Sequence, residues 1–163
     1  PTAMARLLDD KALAGEVWDD VRGEVAGLLL DAVSKHSKYR ERELQQSATL
    51  ALGQIGTAAT DNGLNDKIRA ELERLIKEGE QQSRRFALIS LAQTGGRPGE
   101  GENALDGTTK VRKILTSQMG SKGKSTVRPW AALSVGVLGR SPLDAGRSEE
   151  RRVGHEWRSR WSP

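Results

Sequence analysis

The stretch with the clearest chemical potential is QMGSKGKST, residues 118–126. Gly123, Lys124 and Ser125 match the close of a phosphate-binding loop, in which a lysine and the amides at a helix N-terminus cradle phosphate. That motif needs a glycine five residues before Gly123, where Gln118 stands, and a strand ahead of it, where the spacing predicts a helix. Ser125 or Thr126 is therefore expected to cap a following helix rather than to serve a phosphate. ALSVG, residues 132–136, falls one residue short of a nucleophile elbow, which also needs a strained strand-to-helix turn and a histidine base. Ser134 reads as a small packing residue in mid-helix. His36, beside Lys35 and near Lys38, is one imidazole without a second ligand, which makes no metal site. The acidic pairs Asp9-Asp10 and Asp19-Asp20 read as solvated faces. With no cysteine, disulfides, thiolate metal sites and cysteine nucleophiles are excluded. No catalytic, metal or cofactor site follows from these residues, and the chain reads as a non-enzyme.

A second group of chemistry-bearing residues is cationic. Arg84, Arg85, Arg128, Lys122 and Lys124 fall near the starts of two apolar segments, where they could form an edge that accepts phosphate. Solvation and pairing with Glu78 or Glu80 are the simpler account of them and the favoured one. Whole-chain charge gives little help. The formal net charge is +4, and half of the excess lies in the last 17 residues, so the body is nearly balanced.

The elements that must position these residues come from a core with few aromatics. Only Trp18, Tyr39, Phe86, Trp130, Trp157 and Trp161 are aromatic, 4% of 163 residues. Leu, Ile, Val and Ala must fill the interior, which favours closely packed helices. No apolar run approaches the roughly 20 residues of a membrane span. The chain opens on Pro-Thr-Ala without an initiator Met, so a truncated N-terminus is expected and the compartment is left open.

Internal repetition is the strongest signal. SATLALGQIG (47–56), FALISLAQTG (86–95) and WAALSVGVLG (130–139) align without gaps at spacings of 39 and 44 residues. Ala48, Ala87 and Ala131 coincide, as do Leu50, Ile89 and Leu133, and Leu52, Leu91 and Val135. Gly53, Ala92 and Gly136 are all small, and Gly56, Gly95 and Gly139 close each segment. In the first segment Ala48, Leu52 and Ile55 share one helical face, and Leu50, Ala51 and Gly53 give a second apolar or small face. Such a helix should be covered on both sides. The closing glycines suit the left-handed position past a helix end. Phe86 and Trp130 read as core.

A more polar helix is expected ahead of each segment. Its apolar stripe is Val21, Val25, Leu28, Leu29 and Ala32 in 21–36; Ile68, Leu72, Leu75 and Ile76 in 66–79; and Val111, Ile114, Leu115 and Met119 in 108–120. Each unit is an amphipathic helix, a turn and a more buried helix, which must stack on its neighbours to bury its faces.

In these repeats, over about residues 21–140, the chain resembles HEAT-repeat proteins and the HEAT-like repeat named after phycobilisome lyases. The resemblance implies an all-α fold, a right-handed α-solenoid of about three helix pairs. Arg84 and Arg128 share a column with Gln45, and no Asp precedes them at a constant offset. The Asp–Arg ladder common in that family is therefore at best partial here. The resemblance further implies a scaffold whose second helices line a concave, partner-binding face. On that basis Gln45, Gln46, Arg84, Arg85 and Arg128 are the expected contact residues. The expected partner is another protein or peptide. A nucleic acid held by the basic residues is the alternative, and a lyase-like role follows from family analogy alone.

The expected organisation is a partial preceding helix or linker over 1–20, then repeats over 21–56, 66–95 and 108–139. A Gly-rich loop (94–107) is expected between the second and third, and an Asn62-Gly63 turn lies in the connector 56–66. The tail 141–163 is expected to be disordered. From residue 147 it resembles the in-frame translation of a sequencing adapter, with His155 and Trp157 as the departures. That resemblance implies read-through in a draft or environmental assembly, and a segment to be set aside as a cloning scar would be.

Overall fold

The computed structural model describes residues 1–4, 16–39, 41–60, 63–99, 103–120 and 125–140. Among them all regular structure is helical. Five helices are α1 (Glu16–Val33), α2 (Arg42–Ile55), α3 (Leu64–Glu78), α4 (Gln81–Gly96) and α5 (Asp106–Met119). A sixth, α6, covers 128–140, and residues 2–4 form part of a further helix. The fold class is all-α. Lys122, Lys124 and the adapter-like tail lie outside the described residues.

Packing follows the alternation of polar and apolar segments. Neighbours in sequence pack as α1 on α2, α3 on α4 and α4 on α5, and α1 also meets α3 while α2 meets α4 most extensively of all. One core runs through the set. Ala48 and Leu52 of α2, Ile68 and Leu72 of α3, Leu88 and Leu91 of α4, and Val111 and Leu115 of α5 are all fully buried. Ala131 and Leu138 of α6 join the same cluster. Two stripe residues depart from expectation. Leu28 is 58% exposed and Met119 41% exposed, because the inward face of α1 is carried by Val25, Ala26, Leu29, Ala32 and Val33, and Met119 falls in the last turn of α5.

The helix ends also differ from expectation. Gly56 has φ −67° and ψ 151°, which is extended rather than left-handed backbone. Gly95 lies inside α4, which runs on to Gly96, so the inter-repeat loop begins at Arg97 and not at residue 94. Gly139 lies inside α6. At the ends of α1, α2 and α4 one terminal carbonyl each accepts from a side chain of a neighbouring helix. Arg74 of α3 donates to Val33 O at 2.7 Å, Arg22 of α1 to Ile55 O at 2.8 Å, and Thr108 of α5 to Gly95 O at 2.7 Å. A cation at a helix C-terminus also opposes the negative end of the helix dipole.

Close approach explains Gly53, Gly56 and Gly95 better than backbone freedom does, whereas a Cβ on Gly136 or Gly139 would meet nothing within 4 Å. A Cβ on Gly53 would lie 2.6 Å from Ser90 Cα, one on Gly56 2.9 Å from the Thr94 side chain, and one on Gly95 2.7 Å from Val111 Cβ. The helices therefore touch backbone to side chain along these positions.

The connector is buried over residues 56–59 and held from three sides. The Ala58 amide donates to Arg97 O and the Gly107 amide to Ala58 O, both at 2.8 Å. Asn65 accepts the Thr57 amide at 3.0 Å. Arg69, 2% exposed, donates to Thr57 O, to Ala59 O at 2.8 Å and to Asp66. Charge periodicity alone gave no sign of this buried cation, because Arg69 adjoins the apolar stripe of α3 and reads as one of its flanking charges.

Candidate interaction face

Helices α2, α4 and α6 carry the residues expected to meet a partner. Their shared columns define what each position can do. Column 48/87/131 is fully buried alanine in all three helices. Column 50/89/133 behaves differently: Leu50 and Ile89 are half-buried and Leu133 is 53% exposed. The second apolar side expected to be covered is therefore only partly covered. One turn further on, Gln54 and Gln93 are half-buried in a shared column, and one turn back lie Phe86 and Trp130, also half-buried rather than sunk in the core. The result is a ledge of aliphatic and aromatic side chains bordered by amides.

The five expected contact residues divide into two groups. Gln45 Nε2 donates to Tyr39 O at 2.9 Å and fastens the turn ahead of α2. Arg84 Nε donates to Gly79 O at 2.6 Å and closes the turn between α3 and α4. These two act within the fold. Gln46 and Arg85 share a column, are half-buried, and stand beside the ledge. The Arg85 guanidinium lies over the Trp130 ring, 5.5 Å from its centroid, which ties α4 to α6. Arg128 is exposed in the first turn of α6. Glu78 and Glu80 do not pair with Arg84 or Arg85: Glu78 lies 3.7 Å from Arg74, and Glu80 3.2 Å from Arg42.

The remaining chemical candidates lose their chemistry to the helices. Ser134 is fully buried in mid-helix and donates to Trp130 O at 2.8 Å. Ser125 and Thr126 lie in a turn, but α6 begins with the Val127 carbonyl accepting the Ala131 amide at 3.0 Å. Val127, buried among core residues, thus takes the capping position that Ser125 or Thr126 was expected to hold. His36 is exposed just past the end of α1. Among the described residues no three His, Asp or Glu side chains gather as a metal-binding group, and no helix is long and apolar enough to cross a membrane.

A groove of about 720 Å³ opens elsewhere, between α1 and α3, lined by Gly27, Leu28, Asp31, Lys67 and Arg74 among others. None of the five expected residues borders it. The Arg74 guanidinium there is held above its ordinary pKa, chiefly by its hydrogen bond to Glu71 and then by the charges of Glu71 and Glu78, against the opposing effect of burial.

The sequence pattern displayed the ledge column as apolar but not as open. The signal that marks it is the change from uniform alanine at 48/87/131 to large aliphatics at 50/89/133. Compared with family models, curated proteins and solved structures, the chain matches none.

Proposed function

We propose that this chain is a non-catalytic protein–protein interaction scaffold, an α-solenoid of about three HEAT-like helix pairs. It offers the ledge on α2, α4 and α6 to an extended segment of another protein or peptide. The observation that carries this is the repeated column Leu50, Ile89 and Leu133, which stays half-buried to exposed while the adjacent alanine column is sealed. Contacts that skip one helix, α1 with α3 and α2 with α4, support successive stacking of helix pairs. An apolar row with amides beside it suits a partner that supplies alternate side chains and main-chain groups.

The test is selection of peptides from a random displayed library against the full chain, followed by binding to Leu133→Asp. Leu133 is exposed enough to tolerate the change without unfolding. Loss of binding by about tenfold or more is expected, equivalent to roughly 1.4 kcal/mol. Selected peptides that bind Leu133→Asp as they bind the parent would place the interaction elsewhere.

A nucleic-acid-binding solenoid is the second reading, and charge distribution favours it. Residues 81–140 carry 10 basic and 3 acidic side chains, whereas residues 1–80 carry 11 basic and 15 acidic. It requires affinity for DNA or RNA that falls steeply with salt.

A further inference from the structure

Arg85 differs in its bonding from the other well-packed arginines. Arg22, Arg69, Arg74 and Arg84 each donate to a backbone carbonyl. Arg85 donates to Gln82 Oε1 at 3.3 Å, lies over Trp130, and has a buried Nε with no partner. No carboxylate among the described residues pairs with it, since the acids nearest in sequence are engaged by Arg74 and Arg42. A guanidinium lying over an indole keeps its in-plane donors for a planar oxyanion, and a carboxylate is the best geometric match. The surrounding half of the chain is strongly basic, while the half that carries α2 is acidic.

We infer that the ledge takes an acidic peptide, one of whose carboxylates pairs with Arg85 while a neighbouring apolar side chain rests on Ile89 and Leu133. This rests on the scaffold reading above. A nucleic acid fits less well, because the cationic track does not continue along the ledge. At the α2 end the positions matching Arg84 and Arg85 hold Gln45 and Gln46, which carry no charge, and Arg42 is already bridged to Glu80. A phosphate chain would lose its partners there, whereas a peptide needs only apolar contact and amide hydrogen bonds.

The experiment uses the full chain and a fluorescein-labelled peptide of alternating Leu and Glu, read by fluorescence anisotropy. A Leu–Lys peptide and a thymidine oligonucleotide serve as alternative probes. The Leu–Glu peptide should bind, Arg85→Gln should weaken it about tenfold, and Leu133→Ser should weaken it as well. Arg85→Lys should recover only part of the loss, because the planar fork is missing. Far-UV circular dichroism checks that each variant remains helical. If Leu133→Ser weakens binding but Arg85→Gln does not, or if the Leu–Lys peptide binds equally well, the acidic partner is overturned and the ledge survives. If neither variant matters, or no Leu–Glu peptide binds, the ledge falls too. Arg85-dependent, salt-sensitive binding of the oligonucleotide in preference to the peptide would overturn the proposal in favour of nucleic acid.

Discussion

Alanine at Gly53 and alanine at Gly136 should change stability in opposite directions, although both occupy the same column of the repeat. At Gly53 an added Cβ would sit 2.6 Å from Ser90 Cα and 2.8 Å from Gln93 Oε1. Ordinary carbon contacts lie near 3.5–4.0 Å, so α4 would have to withdraw by about 1 Å. Overpacking of this kind costs about 1–3 kcal/mol. At Gly136 nothing lies within 4 Å of the new atom. Replacing glycine by alanine in a helix interior gains about 1 kcal/mol at either site. That gain cancels in the comparison, so the difference between the two variants isolates the close approach of α2 and α4, about 1–3 kcal/mol. Gly136→Ala should be the more stable protein and should exceed the parent. Urea unfolding followed by circular dichroism at 222 nm measures both, with equal slopes required for the comparison. If Gly53→Ala proves as stable as Gly136→Ala, α2 and α4 do not meet through this glycine, and the account of Gly53 as a contact point is wrong.

Other substitutions probe the remaining features. Arg69→Met keeps most of the volume but strands the buried carbonyls of Thr57 and Ala59, so a loss of about 2–5 kcal/mol in urea unfolding is expected; a change under about 0.5 kcal/mol would show that the connector holds without it. Leu72→Ala empties a fully buried site between packed helices and should lose about 2–5 kcal/mol, measured in the same way. Arg42→Ala removes an ion pair whose side chains are 74% and 46% exposed. It should shift stability by no more than about 0.5 kcal/mol, less in high salt; a larger loss would mean that this bridge fastens α2 to the turn before α4.

Much of the fold is legible along the chain. Ile68, Leu72, Leu75 and Ile76 announce the inward face of α3 by spacing alone, and all four are buried. Ala48, Leu52 and Ile55 do the same for α2. Periodicity succeeds here because a helix that buries one face repeats its apolar residues every three to four positions. It fails at Leu28, where several adjacent aliphatics leave the exact stripe undetermined. It also fails at the helix ends, where glycine has two uses, left-handed backbone and the absence of a Cβ, and only the neighbour decides between them. Within the ledge, Arg85 and Gln46 could be picked out by register, but Gln45 and Arg84 looked identical to them and proved to be fasteners of turns.

By itself the sequence determined that the chain is helical and, for α2 and α3, which residues turn inward, because those follow from local period and composition. The tertiary structure decided what depends on contacts between residues far apart in sequence. It placed Ser90 against Gly53, set Arg22, Arg74 and Thr108 on the carbonyls of other helices, and buried Arg69 beneath the connector. It also laid Arg85 over Trp130 with no carboxylate at hand among the described residues. Such pairings join positions 10 to 45 residues apart, and a hydrogen-bond donor or a small residue can serve many partners until packing selects one.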